Sequence, residues 1–145
     1  MLSSSKSLLV PCLFYADRVV LAWYHQHSLA VTPINPRAAS IALPSFEYPT
    51  VSSPSALSDP SQTSLSIVTP PSVSLQVLQD AHAAGIPAVW LQPGAFDDTV
   101  LEYARQHFSV AIAGQGGHGD EGWCVLVDGE WGLEAAGRTW AAQKL

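Results

Sequence analysis

The sequence predicts an α/β fold built around a parallel sheet, and residues 64–98 carry the main observations. Two strand-like apolar runs, 65–69 and 87–92, flank a helix-like stretch, 72–84. The apolar face of that stretch, which we expect to be buried, is formed by Val73, Val77, Leu78, Ala81 and Ala84. Another helix is predicted from Asp97-Asp98, where carboxylates suit the positive end of the helix dipole. A strand–helix–strand–helix unit of this length requires parallel strands and a right-handed crossover. The 48% hydrophobic content suits a sheet buried on both faces.

Turn and capping residues limit the predicted elements. Gly85 ends the helix that Ser72 opens, and Pro93-Gly94 stops the strand that follows. The predicted strands are residues 8–14, 29–34, 65–69, 87–92, 109–113 and 123–127. The predicted helices are residues 18–27, 72–84, 98–107 and 131–142.

Two stretches are predicted to be connections. Residues 37–63 are rich in Ser and Pro and are predicted to be ordered, with a helical turn near 55–57. The run GQGGHGDEG, residues 114–122, invites comparison with a phosphate-binding loop. We predict a flexible connector instead, because no strand-to-helix context follows it and because Asp120 and Glu121 add negative charge.

Length and composition exclude several classes of protein. The length of 145 residues predicts one domain, 1–145. The net charge is −6 and the chain has six basic residues, so its charge argues against a nucleic-acid or anionic-membrane partner. No apolar run approaches the roughly 20 residues of a membrane span. Cys12 and Cys124 give neither a disulfide framework nor a metal set, so we expect no metal. We expect a cytoplasmic protein.

Four segments carry a resemblance to a known family: VTPINP (31–36), IVTPPSVSLQVL (67–78), GIPAVWLQPGAFDD (85–98) and EGWCVLVDG (121–129). The chain resembles the CoA-binding domain family, single-domain Rossmann-like proteins similar to the nucleotide-binding part of the succinyl-CoA synthetase α-subunit, and in particular its fungal-type members. The resemblance covers most of residues 19–145. It implies a Rossmann-like three-layer fold, with a mostly parallel five-stranded sheet of order 3-2-1-4-5 and helices on both faces.

The segment after the first predicted strand departs from that family. Family members carry a Gly-Ala-Ser turn and a Lys-Phe-Gly loop there, and the resemblance implies that this backbone holds the phosphates of the cofactor. This chain has no glycine before Gly85, and its Pro11 offers no N–H group. Leu13, Phe14 and Tyr15 would block the close approach that glycine permits. We therefore expect no cofactor, with CoA as the alternative.

The candidate site lies beyond the carboxyl ends of the strands, where ligands bind in parallel α/β sheets. Thr69, Ser72 and Gln92 are the candidate catalytic residues, because they offer neutral hydrogen-bonding groups at that edge. The candidate substrate-binding residues are Leu13, Phe14, Tyr15, Asn35, Pro70, Pro71, Pro93, Gly94 and Phe96. Structural alternatives stay open. Ser72 would then be a helix N-cap, Gln92 would bond neighbouring backbone, and Asn35 would stabilise a turn.

Two further residues have a chemical and a structural interpretation. His118 could act as an acid or base near neutral pH, or it could simply be solvated. Cys124 has no obvious partner base and is predicted to be a buried small hydrophobe.

The lost phosphate loop leads to two functional hypotheses. The preferred one is a repurposed crevice that binds a hydrophobic small molecule, with Trp23, Trp90 and Phe96 adding aromatic wall if they face inward. Such a crevice could serve a cofactor-independent cyclase or isomerase of secondary metabolism, which acts by holding a reactive conformer. The alternative is a non-catalytic CoA or nucleotide-binding module, and a truncated family member without activity is a third reading. A homodimer is compatible with either hypothesis.

Overall fold

The computed structural model describes the backbone of residues 6–10, 16 and 17 and all atoms of residues 18–119 and 122–145. In chain order the elements are β1 (Lys6–Val10), α1 (Ala16–Gln26), β2 (Val31–Pro33), β3 (Ser40–Ala42), β4 (Glu47–Pro49), β5 (Thr63–Ile67), α2 (Pro71–Ala83), β6 (Ala88–Leu91), α3 (Asp98–His107), β7 (Val110–Ile112) and α4 (Val125–Ala135). Strands β1, β2, β5, β6 and β7 form one parallel sheet.

Helices cover both faces of this sheet and bury a separate apolar cluster on each. Leu65, Leu91 and their neighbours pack against α2 and α3. Trp90 packs on the other face against a cluster that includes Leu21 of α1 and Leu133 of α4. This division follows from strand geometry, because successive side chains point to opposite faces. The α/β, Rossmann-like three-layer fold expected from the sequence is confirmed.

The expected strand order 3-2-1-4-5 is not confirmed. The order is β2-β1-β5-β6-β7, which is 2-1-3-4-5 when the strands of the main sheet are counted along the chain. The segment between β2 and β5 forms an antiparallel hairpin of β3 and β4 instead of a full third strand beside β2. An isolated parallel bridge between Ile34 and Val51 connects this segment to the end of β2.

The predicted strand at 123–127 is wrong, because these residues enter helix α4. Val125 and Val127 have the β-branched side chains typical of strands, which explains the prediction. Two contacts oppose that preference. Asp128 accepts a local hydrogen bond of 3.0 Å from the backbone N–H of Cys124, the N-cap residue, and the distant Gln92 side chain accepts one of 2.9 Å from the N–H of Val125. Cys124 is therefore a partly exposed helix cap, not a buried strand residue.

The predicted helix at 131–142 is also wrong in its bounds. Helix α4 ends at Ala135, and Gly137 follows with a φ of +67°. The N–H of Gly137 bonds the carbonyl of Glu134, and the N–H of Arg138 bonds that of Leu133. This is a Schellman motif, which terminates helices at a left-handed glycine.

The other predicted elements are close to those observed, with three differences. The predicted strand at 8–14 corresponds to β1, and its residues 11–14 lie outside the described part. Short 3₁₀ turns at Pro54–Ala56 and Pro60–Gln62 occupy the connection where one turn was expected. Val73, expected on the buried face of α2, is 45% exposed, because the helix buries Ser74 instead.

None of the helices in the described residues combines the length and hydropathy needed to cross a bilayer.

Candidate functional site

The structure places the expected site residues that it describes along the carboxyl edge of the sheet, in three separate segments. Thr69 to Ser72 follow β5, Gln92 to Phe96 follow β6, and Asn35 follows β2. The first two loops are neighbours, since the N–H of Gln92 donates to the carbonyl of Ile67 over 2.9 Å. Asn35 lies apart from them because β1 separates β2 from β5. Leu13, Phe14 and Tyr15 lie outside the described residues, and their contact with a ligand stays a prediction.

The hydroxyl of Thr69 is engaged within the turn that starts α2. Ser74 donates its O–H to the carbonyl of Thr69 over 2.9 Å, and the two side-chain oxygens lie 2.8 Å apart. Thr69 therefore donates to Ser74, and both residues are buried. Ser72 is exposed in the first turn, and the N-cap residue is Pro70. The N-cap interpretation of Ser72 is wrong, because Pro71 at the first helical position already starts the helix.

Gln92 uses both ends of its amide inside the protein. Its Nε2 donates to Ser66 Oγ over 3.1 Å, and its Oε1 accepts from the N–H of Val125 over 2.9 Å. The side chain is 4% exposed. Burial raises the pKa of Tyr24 to about 12, and a hydrogen bond with the same Ser66 opposes that rise. The structural alternative for Gln92 accounts for this geometry, and its catalytic role stays a prediction.

Other residues expected to bind substrate either form turns of the backbone or pack in the apolar clusters. The Oδ1 of Asn35 accepts from the N–H of Arg37 over 2.8 Å, which supports the turn interpretation. Gly94 is exposed with a φ of +86°, as expected of a glycine turn. Phe96 packs against the α2 and α3 cluster, whereas Trp23 and Trp90 lie on the opposite face. These three aromatic residues therefore do not form one wall.

A large open groove lies instead between edge strand β7 and helix α4. Its volume is about 860 Å³. It is lined by Ala88, Trp90, Val110, Ala111, Ile112, Ala113, Trp123, Asp128, Trp131, Gly132, Ala135, Ala136 and Arg138. We call this the aromatic groove, because three tryptophans contribute to its walls. The indole N–H of Trp90 donates to the carbonyl of Trp123 over 3.2 Å, which connects the sheet to the segment before α4.

A smaller apolar cavity of about 80 Å³ adjoins the groove beneath α4. Small side chains explain the space: Ser64, Ser66 and Ala88 line it from the sheet, and Gly129 and Gly132 line it from the helix. Trp90 and Gly132 belong to the walls of both spaces. The cavity extends to the amino ends of β5, β6 and β7, away from the carboxyl edge where the sequence placed the pocket.

A buried carboxylate holds the glycine-rich loop at the end of the groove. Asp128 Oδ1 accepts 2.7 Å bonds from both the backbone N–H and the ring Nδ1 of His118. Burial alone would raise the pKa of the Asp128 carboxyl, but the N–H groups of Cys124 and His118 and the His118 ring outweigh it and hold the pKa below its usual value. A Cβ on Gly117 would overlap Oδ2 of Asp128, which explains a glycine there.

This arrangement corrects one expectation and identifies residues that the sequence did not. The glycine-rich loop does stand between a strand and a helix, β7 and α4. The roles of Asp128, Trp123 and Trp131 were missed, because the sequence analysis assigned Trp123 to a strand, Trp131 to the start of the last helix and Asp128 to the connection between them. The one available signal was the spacing of four residues between Cys124 and Asp128, which places a carboxylate one helical turn after a cap.

The charged side chains of the described residues include no metal-binding cluster, and two arginines lie at the carboxyl edge of the sheet. No group of three His, Cys, Asp or Glu side chains in residues 18–119 and 122–145 could hold a metal ion. Arg18 in the first turn of α1 and Arg37 beyond β2 are exposed at the carboxyl edge.

Comparisons with known proteins agree with the fold. A family model described as CoA binding domain matches residues 15–116, so β1 lies outside the match. A hypothetical protein from Pyrococcus horikoshii OT3 has a TM-score of 0.70 at 17% identity, over 88% of this chain and 83% of that one. A conserved hypothetical protein from Pyrococcus furiosus has a TM-score of 0.63 at 22% identity, over 76% and 94%. No curated protein matches the chain. Since the family model matches well over half of the sequence, the chain belongs to the CoA binding domain family.

Proposed function

We propose that this chain is a small-molecule-binding domain whose ligand is mainly apolar and lies in the aromatic groove. The observation that carries the proposal is the groove itself, about 860 Å³ in volume and walled by tryptophan and aliphatic side chains. That volume is within the range of about 300–1,000 Å³ typical of small-molecule sites. The proposal keeps the apolar ligand expected from the sequence but moves it from the carboxyl edge to the space between β7 and α4.

Exposed apolar side chains in the groove support this proposal. Trp131 is 51% exposed and Val110 is 46% exposed, and both line the groove. Covering such side chains removes apolar area from water, which contributes about 25 cal/mol per Å² before the costs of ordering a ligand. A ligand that fills the groove would therefore gain most of its binding free energy from these walls.

The groove offers few groups for a highly charged ligand. Its charged lining residues are Asp128 and Arg138, and the Asp128 carboxylate already accepts hydrogen bonds from Cys124 and His118. A phosphate-rich molecule needs several donors or cations. An uncharged or weakly acidic ligand suits these walls better.

A cyclisation or isomerisation of the bound molecule is the catalytic form of this proposal. An apolar groove that holds one reactive conformer lowers the entropic barrier without a cofactor. Incubation of the protein with terpenoid and polyketide-like compounds would test it, because an isomer appears as a new chromatographic peak of unchanged mass. If compounds bind but are recovered unchanged, the protein binds small molecules without catalysing their isomerisation.

A CoA-type ligand at the carboxyl edge is the second candidate, favoured by the family match and by the position of two cations. Arg18 and Arg37 are both exposed there and could contact phosphate groups. Against it, the residues that replace the phosphate-holding loop of the family lack glycine. This candidate predicts micromolar CoA binding in calorimetry that is lost in the double variant Arg18→Ala, Arg37→Ala.

Binding of the uncharged apolar dye Nile red tests the main proposal. We expect the fluorescence of the dye to rise on binding and Trp131→Ala to weaken that binding at least about tenfold, as loss of a central tryptophan contact does. Phe46→Ala is the matched control, since Phe46 is also a half-exposed aromatic residue, at 50%, and is not among the groove residues. Equal dye binding by the wild type and Trp131→Ala would rule out the groove.

A further inference from the structure

His118 and Asp128 form a fixed pair at the end of the aromatic groove. The Asp128 side chain is fully buried and that of His118 is 59% exposed. Asp128 lines the groove, and the His118 ring lies 5.6 Å from the ring of Trp131, another groove residue. The imidazole is not itself a lining residue, but it lies against two residues that are, Asp128 and Trp131.

The hydrogen bonds of Asp128 determine which ring nitrogen of His118 carries the proton. The low pKa of the carboxyl means that Asp128 is ionised at neutral pH and acts only as an acceptor. Its bond to Nδ1, 2.7 Å long, therefore requires a proton on Nδ1. In the neutral ring, Nε2 then has an unprotonated lone pair. Geometry thus makes Nε2 a hydrogen-bond acceptor and a base.

The position of this base is set by the backbone as well as by the ring. The N–H of His118 and its Nδ1 bond the same carboxylate oxygen, both over 2.7 Å. Gly117 allows this approach, because a Cβ at that position would overlap the carboxylate. A side chain anchored at two points loses less entropy when it binds a ligand than a freely rotating one.

We infer that His118, oriented by Asp128, accepts the proton of an acidic hydroxyl group on an aromatic or enolic ligand in the groove. The inference rests on the proposed function and names the class of its ligand: phenols and enols with an apolar body. The O–H bond of the ligand breaks and an Nε2–H bond forms. The resulting imidazolium faces the Asp128 carboxylate, and the phenolate or enolate keeps a hydrogen bond from Nε2–H. No other reactant is needed.

A purely structural role is the alternative. In that case Asp128 would only cap α4 and hold the loop, and the ring of His118 would add nothing to ligand binding. The two roles differ in one measurable property, the ionisation state of a bound phenol.

The test uses para-nitrophenol, whose phenolate absorbs visible light, and para-nitroanisole, which has the same body without the hydroxyl. At a pH below the pKa of the free phenol, we expect a larger phenolate fraction when para-nitrophenol is bound to the wild type than when it is free. His118→Gln should abolish this increase and weaken para-nitrophenol binding about tenfold, while para-nitroanisole binds as before. His107→Gln is the control, since His107 is an exposed histidine on α3, on the other face of the sheet.

Asp128→Asn examines the contribution of the carboxylate charge. Oδ1 of Asp128 accepts two hydrogen bonds from His118 and Oδ2 accepts one from Cys124, so the single amide oxygen of the variant stays toward His118 and Nδ1 keeps its proton. The variant removes the negative charge that stabilises the imidazolium. We expect a smaller phenolate increase than in the wild type although His118 remains, and His118→Gln decides alone if this variant fails to fold. An equal phenolate fraction in wild type and His118→Gln would overturn the inference. Failure of para-nitroanisole to bind the wild type would instead remove the proposed function.

Discussion

The side chain of Gln92 at the end of β6 accepts a hydrogen bond of 2.9 Å from the N–H of Val125, the first residue of α4. Its other end donates to Ser66 of β5, so that one buried amide connects two strands and a helix N-terminus. The N–H groups of a first helical turn have no partner within the helix. Gln92 supplies one, which helps to hold α4 beside the aromatic groove.

We predict that Gln92→Ala destabilises the fold, since it leaves the buried N–H of Val125 and the hydroxyl of Ser66 without this partner. A buried polar group that loses its partner costs about 1–3 kcal/mol in the free energy of unfolding. Urea denaturation measures the change, with Gln79→Ala on the exposed face of α2 as the control, expected within about 0.5 kcal/mol of wild type. A fully stable Gln92→Ala variant that loses only ligand binding would support the catalytic interpretation of Gln92.

We predict that the fold loses stability in acid because the Asp128 carboxylate becomes protonated. Its pKa is held below the usual value in the folded state, so its ionised form favours folding above the unfolded pKa of about 3.9. That contribution is lost as the pH falls through the lower, folded pKa. We expect the free energy of unfolding of the wild type to fall more steeply below about pH 4 than that of Asp128→Asn. Parallel pH profiles for the two proteins would contradict the prediction.

The central part of the fold was predictable because its local patterns agree with its tertiary structure. Residues 64–98 show strand and helix periods with prolines and glycines at their limits, and β5, α2, β6 and α3 follow them closely. The predicted helix start at Asp97-Asp98 is confirmed, and Asp97 also caps α3 by accepting a bond of 2.9 Å from the N–H of Val100.

The groove was not predictable, because it depends on contacts between distant residues. Helix α4 contains Val125, Val127 and two glycines, all poor helix formers, and it is stabilised by Gln92 and by packing against Trp23. The strand-like local preference of this segment therefore misled the prediction. Without α4, neither the Asp128 site nor the wall formed by Trp131 could be placed.

We predict that the fold loses stability in alkali because the buried Tyr24 hydroxyl ionises. Burial raises its pKa to about 12, against about 10 in the unfolded chain, so the neutral phenol favours folding. This contribution is complete below about pH 10 and is lost as the pH rises toward 12, up to about 2–3 kcal/mol. Tyr24→Phe cannot ionise, so its free energy of unfolding should decline less than that of the wild type above about pH 10. An identical alkaline decline in both proteins, measured by urea denaturation, would show that Tyr24 is not the group responsible.

Two glycines of α4 provide a matched pair with opposite expected effects. Alanine is favoured over glycine in a helix by about 1 kcal/mol, so a Gly→Ala change should stabilise α4 wherever there is room. At Gly132 a Cβ would meet no atom within 4 Å, and we expect Gly132→Ala to raise the free energy of unfolding by about 0.5–1 kcal/mol. At Gly129 a Cβ would overlap the indole ring of Trp23, which is itself buried. We expect Gly129→Ala to lower the free energy of unfolding by about 1–3 kcal/mol, as overpacking does.

Thermal or urea unfolding of both variants measures the difference. Stabilisation by Gly129→Ala as large as that by Gly132→Ala would mean that α4 is not packed against Trp23, and the walls of the aromatic groove would have to be placed differently.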